Sequence, residues 1–177
     1  MVLFNLMFDH LHESIISQYR LGLHSIHGPS HWARVERNGL YICEHNGGNP
    51  KVISLFALFH DCKRVNEDID NGHGRRAALY LEEIRNELNG LKDSEFELLH
   101  YACSWHTDCD FSDDPTIGAC WDADRLDLGR VGFIPDAERL NSQAAKEIAL
   151  SGDYSKLDDI ETRDLPKIFE NIIGEIR

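Results

Sequence analysis

The segment spanning residues 50–62 constrains the fold more than any other part of the chain. Its sequence is apolar on nearly every side when it is drawn as an α-helix, and such a helix has to be surrounded by other elements. The pattern therefore predicts a helix at the centre of a bundle. The segment closes with a polar pair, His60 and Asp61, and two cations follow it, Lys63 and Arg64.

Helical periodicity continues through most of the remaining sequence, and no segment alternates between apolar and polar residues over the length of a strand. Start and stop signals, such as Pro29 with Ser30 and the glycine pair at 47–48, separate the helices. We expect helices over residues 3–20, 29–46, 50–62, 74–88, 93–106, 117–128, 136–150 and 166–176. The predicted class is all-α, as one domain over residues 1–177 with its C-terminal helices in residues 134–177.

The charge and the cysteines exclude several classes of function. The chain has 31 acidic and 18 basic residues and a net charge of −13, which repels nucleic acid polymers. Its five cysteines contain no C-x-x-C spacing, so we expect reduced thiols and neither a disulfide framework nor a thiolate zinc site. No apolar run reaches the roughly 18 residues of a membrane helix, and the N-terminus lacks the features of a secretory leader. We expect a cytoplasmic protein without membrane or nucleic acid partners, and homo-oligomerisation stays open.

Histidines and aspartates lie near the ends of the predicted helices. They are His31 in "HGPSHWARV", His60 and Asp61 in "LFALFHDCKR", His73 before "GRRAALYL", His106 in "SWHTD" and Asp124 in "DADRLDLGRVG". A bundle can bring such ends together, and imidazole nitrogens with carboxylate oxygens suit first-row metals or magnesium. A lone His-Asp pair often occurs by chance, so the prediction depends on the whole set.

The order of His31, His60 with Asp61, and Asp124, in the contexts quoted, resembles the HD-domain superfamily of metal-dependent phosphohydrolases. The resemblance spans roughly residues 25–133 and implies an HD-type helical bundle. It also implies that these four side chains hold a divalent metal, which can be Mn, Fe, Mg, Ni or Zn.

Some members of this superfamily hold a second ion, and the resemblance places His73 and His106 where they would bind it, with Asp61 bridging both ions. One or two ions per chain are therefore expected. The same two histidines can instead contact the substrate without touching metal, and that alternative stays open at this point.

Members of the superfamily mostly hydrolyse phosphate esters or anhydrides, often of nucleotides. The resemblance therefore implies a hydrolase that cleaves a small phosphorylated, nucleotide-like metabolite with a metal-activated water, with Asp61, His73 and His106 as catalytic residues. Candidate phosphate-binding cations are Arg34, Lys63, Arg64, Arg75 and Arg125. A non-catalytic metal- and nucleotide-binding protein and an oxygen-activating di-iron enzyme are the alternatives.

Several neighbouring residues have competing interpretations. Asp122 and Asp127 flank Asp124 and are expected to act as caps or salt-bridge partners, whereas Asp68 or Asp70 is expected to orient a ligand histidine. A fifth residue, His27, is either a phosphate contact or a helix-start residue. The acidic loop over residues 107–114 lacks the pattern of a calcium loop, and its role is open.

Overall fold

The computed structural model describes residues 2–158 and 160. Its α-helices are α1 Val2–Gln18, α2 Pro29–Asn46, α3 Pro50–Phe59, α4 His73–Glu83, α5 Asp93–Trp105, α6 Pro115–Leu126 and α7 Gln143–Ser151. Short 3-10 turns cover Arg85–Glu87, Asp127–Val131, Ala137–Arg139 and Ser155–Leu157. This part of the chain contains no strand, so the all-α class is confirmed there. The helix predicted over residues 166–176 lies outside the described residues.

Helix α3 is the central element of the bundle, as its apolar sequence predicts. Every residue from Val52 to Phe59 is buried, and the helix packs against α2, α5 and α6. Each large apolar side chain buried in this way stabilises the fold by about 1.5–3 kcal/mol. The side chain of Asn49 caps the first turn by accepting the backbone N–H groups of Lys51 and Val52, which fixes where α3 begins.

Two glycines allow neighbouring helices to approach closely. A Cβ atom on Gly39 of α2 would lie 2.5 Å from Cγ2 of Ile53 in α3. A Cβ atom on Gly74 of α4 would lie 2.9 Å from the ring of His106 and closer still to the carbonyl oxygen of Cys103. A side chain at either position would push the helices apart.

The prediction of a single helix over residues 136–150 is wrong. Leu140 is extended, with ψ 148°, and separates the 3-10 turn from α7. The buried carboxylate of Asp122 accepts the backbone N–H groups of Asn141 and Ser142, both at 2.7 Å, and these bonds stabilise the break. Asp122 is therefore a structural cap of this connection, as expected, and Ser142 caps α7 in turn.

Other predicted helices differ only at their ends. The helix expected over residues 50–62 stops at Phe59 and continues as turns, and the one expected over 74–88 begins at His73 and stops at Glu83. Because α3 ends at Phe59, the polar residues His60 and Asp61 lie on the turn that follows it.

Five helix ends meet at one place in the bundle. His60 and His106 directly follow the last residues of α3 and α5, and Asp124 lies in the last turn of α6. Helix α4 begins at His73, and His31 lies in the first turn of α2. The fold thus gathers residues that are far apart in sequence into one cluster.

The structure describes all five cysteines, and each has a free thiol. Within the described residues, no helix combines the length and the hydropathy that crossing a membrane requires. The expectation of reduced thiols is therefore met in the structure.

Candidate metal centre

Six side chains form two adjoining groups of three at the junction of the five helix ends. The first group is His31, His60 and Asp124, and the second is Asp61, His73 and His106. Within each group the potential ligand atoms lie within 4.8 Å of one another. Five of the six residues are buried, whereas the side chain of Asp124 is 22% exposed. The structure thus brings together all six residues that the sequence suggested as ligands.

The carboxylate of Asp61 lies between the two groups. Its Oδ2 atom is 3.7 Å from Nε2 of His31 and 3.5 Å from Nε2 of His60. Its Oδ1 atom is 3.0 Å from Nε2 of His73 and 3.8 Å from Nε2 of His106. One carboxylate can therefore present a different oxygen to each group.

All four histidines are held in the same tautomer by an acceptor at Nδ1. The acceptors are Oδ2 of Asp127 for His31 at 2.7 Å, the Ala57 carbonyl for His60 at 3.0 Å, the Asp70 carbonyl for His73 at 2.8 Å and the Cys103 carbonyl for His106 at 2.8 Å. When each ring is neutral, Nδ1 donates and Nε2 carries the lone pair. Every ring therefore points a metal-binding nitrogen into the cluster.

These lone pairs face one another in two close pairs. The Nε2 atoms of His31 and His60 are 3.1 Å apart, and those of His73 and His106 are 2.8 Å apart. Two lone pairs at this distance repel unless a cation, either a proton or a metal ion, lies between them. Burial lowers the pKa of His31 and of His106, but the neighbouring carboxylates raise it more, so both net pKa values are raised and positive charge is favoured at each pair. Two nitrogens that each lie about 2.1 Å from one metal ion at a right angle are about 3 Å apart. The donor set therefore fits one metal ion at each pair.

The carboxylates of the cluster are ionised. Burial alone raises the pKa of Asp61, but the surrounding histidines lower it more, and the net pKa lies well below its usual range. The pKa of Asp124 is lowered in the same way, with His31 as the main hydrogen-bond partner that opposes burial. Burial lowers the pKa of His60 to about 3, so this imidazole is neutral. Anionic carboxylates and a neutral imidazole are the protonation states that metal binding needs.

The residue that orients His31 is Asp127. Its Oδ2 atom accepts from Nδ1 of His31 at 2.7 Å, and its Oδ1 atom accepts from Nε of Arg34 at 2.7 Å. From the sequence, Asp127 was expected to act as a cap or salt-bridge partner, and its hydrogen bond to His31 was not predicted. The signal that could have found it is its position three residues after Asp124, which keeps both side chains on one side of the chain.

The carboxylates of Asp68 and Asp70 do not take the predicted role. The carboxylate of Asp70 pairs with Arg76 at 2.6 Å, and only its backbone carbonyl accepts from His73. The backbone carbonyl of Asp68 accepts from Arg64 at 2.7 Å. This part of the prediction is wrong because backbone oxygens occupy the positions that carboxylates were expected to fill.

His27 lies at the edge of the cluster. Its Nδ1 atom is 3.0 Å from Oδ2 of Asp61 and 3.3 Å from Nη2 of Arg130. Arg130 is anchored by donating from Nε to the carbonyl of Ile26 at 2.8 Å. Arg130 was missed by sequence reasoning, although it lies within the quoted "DADRLDLGRVG" motif.

Two of the predicted substrate-binding cations contact the cluster. Arg34 is held by Asp127, and its side chain is 37% exposed. Nη1 of Arg64 lies 3.6 Å from Oδ1 of Asp61 and 3.4 Å from Nε2 of His73. Both cations are therefore close enough to influence what the cluster binds.

The other three predicted cations make their contacts elsewhere. Nζ of Lys63 lies 3.4 Å from the centre of the Tyr80 ring. Arg75 and Arg125 both bind the acidic loop over residues 107–114, through an ion pair at 3.1 Å and through hydrogen bonds to backbone carbonyls at 2.5 and 2.7 Å. Arg75 and Arg125 are thus partners of the loop, and the structure does not bring Lys63, Arg75 or Arg125 to the cluster.

Comparison of the chain with protein-family models, with curated proteins and with solved structures found no match. The chemistry of the site therefore follows from its donor set. Imidazole nitrogens combined with carboxylate oxygens suit Mn, Fe, Ni and Zn, and carboxylates also suit Mg. The buried groups could hold a metal ion of any of these kinds.

Proposed function

We propose that this chain is an HD-domain, metal-dependent phosphohydrolase that cleaves a phosphate ester or anhydride of a small nucleotide-like metabolite. The observation that carries the proposal is the pair of three-residue groups with Asp61 between them. Two metal ions at a shared carboxylate suit the displacement of a leaving oxygen from phosphorus. The order of the motifs along the chain supports the same family.

The residues of the chain have distinct tasks in this reaction. A bound divalent ion lowers the pKa of its water and offsets negative charge on the phosphoryl oxygens. Asp127 and the backbone carbonyls that accept from Nδ1 keep the histidine rings in place. Asp124 is the most exposed of the six candidate ligands, so the substrate approaches from its side.

Arg34 is the best placed cation for a phosphate group. Its Nε donates to Asp127, which fixes the guanidinium, and its two terminal nitrogens have no hydrogen-bond partner among the described residues. A planar guanidinium with free terminal nitrogens binds phosphate through two hydrogen bonds. His27, with Arg130 behind it, offers a second polar contact beside Asp61.

Metal analysis tests the two-ion arrangement directly. Protein purified without added metal is compared with its His73→Ala and His106→Ala variants. We expect about two ions per chain in the parent, as in other two-metal sites, and loss of one ion in each variant. One ion that persists in both variants would assign these histidines to the substrate, and no metal even after Mn or Fe is supplied would contradict the proposal.

Hydrolysis is tested by phosphate and pyrophosphate release from a panel of nucleotides with Mn added. We expect activity in the parent and its loss in Asp61→Ala, with Asp113→Asn as the control because Asp113 is exposed and lies outside the cluster. Metal-loaded protein that binds nucleotides without releasing product would favour the non-catalytic alternative. An absorption band that responds to oxygen and substrate would favour the di-iron alternative.

A further inference from the structure

A cavity of about 640 Å³ lies outside the metal centre. It is formed between the end of α1, the turn after α3 and the outer face of α4, and none of the six candidate ligands lines it. A volume of this size accommodates a small metabolite. The cavity is therefore a candidate binding site of its own.

Positive charge dominates the polar lining of this cavity. Four cations line it, namely Arg20, Lys63, Arg64 and Arg76, against one acidic side chain, Glu83. This concentration stands out in a chain whose net charge is −13. A cavity lined by one sign of charge draws ligands of the opposite sign toward it.

Two of these cations are available to a ligand. Within the described part of the chain, no carboxylate lies within salt-bridge distance of Arg20 or Lys63, and Arg20 is exposed. Lys63 instead lies over the ring of Tyr80, at 3.4 Å from its centre, which orients the ammonium group at the cavity wall. Arg76 is engaged with Asp70 and serves to hold the wall.

Arg64 forms the inner wall of the cavity and adds to its positive charge. Only 7% of this residue is exposed, and its Nε atom is buried without a hydrogen-bond partner. Its Nη1 atom reaches Asp61 at 3.6 Å, so Arg64 forms the wall between the cavity and the metal centre.

The lining also offers contact for an organic group. Leu79 is 56% exposed and Val65 is 46% exposed, and both line the cavity together with Tyr80. Exposed apolar side chains beside a cluster of cations match a ligand that has an anionic group and a less polar body. Inorganic ions alone would leave these side chains in water.

We propose that this cavity binds a small phosphorylated metabolite at a site separate from the metal centre. The phosphate group lies between Arg20 and Lys63, where Arg and Lys donate charge-assisted hydrogen bonds to its oxygens, and the body of the ligand lies on Leu79 and Tyr80. The proposal stands on the cavity and its charges and does not depend on hydrolysis at the metal centre.

The test is calorimetric titration of the full chain, as purified, with inorganic phosphate as the probe. We expect the double variant Arg20→Met with Lys63→Met to lose about tenfold or more in affinity for the cavity phosphate, because two charge-assisted hydrogen bonds are removed. Arg75→Met is the control, since it removes a cation from α4, a helix that lines the cavity, at a position outside the cavity. Its phosphate affinity should equal that of the parent.

The variant Asp124→Asn distinguishes phosphate binding in the cavity from phosphate binding at the candidate metal centre. Phosphate binding to the cavity should persist in this variant, because Asp124 does not line the cavity. Phosphate binding that disappears in Asp124→Asn but persists in the double variant would overturn the proposal, as would a parent protein that binds no phosphate. Circular dichroism of each variant checks that the helices are intact.

Discussion

At the scale of single residues, the orientation of His31 depends on one carboxylate. Asp127 accepts from Nδ1 of His31 with one oxygen and from Nε of Arg34 with the other. Two residues with different tasks, a candidate metal ligand and a candidate phosphate contact, therefore share one anchor. A change at Asp127 should affect both.

We predict that Asp127→Asn weakens metal binding by roughly 10- to 100-fold. The neutral amide has only one accepting oxygen, so it cannot accept from both His31 and Arg34 as the carboxylate does. Competition with a fluorescent chelator for Mn measures the effect. Asp113→Asn, an exposed position, is the matched control. Unchanged affinity in Asp127→Asn would show that His31 does not need this support.

A buried histidine outside the cluster contributes to the dependence of stability on pH. His12 is fully buried, and burial lowers its pKa from 6.5 to about 4. Between these two values the unfolded chain binds the proton and the folded chain does not. The contribution of His12 is therefore complete above pH 6.5 and is lost as the pH falls toward 4.

We predict that the free energy of unfolding falls toward acid by up to about 1.4 kcal/mol per pH unit on account of His12. Urea denaturation at a series of pH values measures the slope for the parent and for His12→Met, which should have the shallower slope. His24→Met, at an exposed position, is the comparison variant. Equal slopes in the parent and His12→Met would contradict this assignment.

The sequence alone indicated six side chains that the structure brings together, and their role as metal ligands stays a prediction. The ligand candidates are histidines and aspartates at helix ends, and the structure gathers all six. The supporting contacts were harder to predict because backbone carbonyls, such as those of Ala57 and Cys103, hold the rings. Every residue has a carbonyl, so the sequence carries no signal for these partners.

At the scale of elements, the spacing of α4 and α5 determines the second group of ligands. His73 begins α4 and His106 ends α5, and Gly74 is where the two helices come closest. The absence of a side chain at Gly74 lets Nε2 of His73 approach Nε2 of His106 to 2.8 Å. The glycine is thus a requirement of the site as well as of the packing.

We predict that Gly74→Ala destabilises the fold by about 1–3 kcal/mol through overpacking and weakens the second group more than the first. Thermal unfolding and metal content per chain measure the two effects. Gly129→Ala is the control, since a Cβ atom there meets nothing within 4 Å. Retention of both ions in Gly74→Ala would show that the helices can separate without disturbing the ligands.

Helices were predicted well where their own sequence determines them. Because α3 is apolar on nearly every side, it has to lie in the core. The connection before α7 was mispredicted because Asp122, a residue of α6, accepts the N–H groups of Asn141 and Ser142. A tertiary hydrogen bond of this kind overrides local propensity and cannot be read from the segment itself.

At the scale of the whole molecule, metal binding and folding should be linked. The six candidate ligands come from five helices, so an ion held by them joins elements that separate when the chain unfolds. A ligand that binds only the folded chain stabilises it by mass action. A metal ion bound at the candidate centre would therefore stabilise the fold.

We predict that Mn at 100 times its dissociation constant stabilises the protein by about 2.7 kcal/mol, which corresponds to roughly 5–10 °C in Tm. Differential scanning fluorimetry with Mn and with a chelator measures the shift. The variant Asp61→Ala should lose most of it, whereas Asp113→Asn should keep it. A parent protein whose Tm does not respond to any divalent ion would contradict the linkage.

The five helix ends at the cluster also have an electrostatic meaning. An α-helix carries partial negative charge at its C-terminus and partial positive charge at its N-terminus. Helices α3, α5 and α6 present their C-termini to the cluster, and α2 and α4 present their N-termini. The backbone dipoles of the first three favour a cation, and those of the other two favour an anion next to it. The backbone alone would therefore favour a cation and an anion side by side at this place, before any side chain contributes.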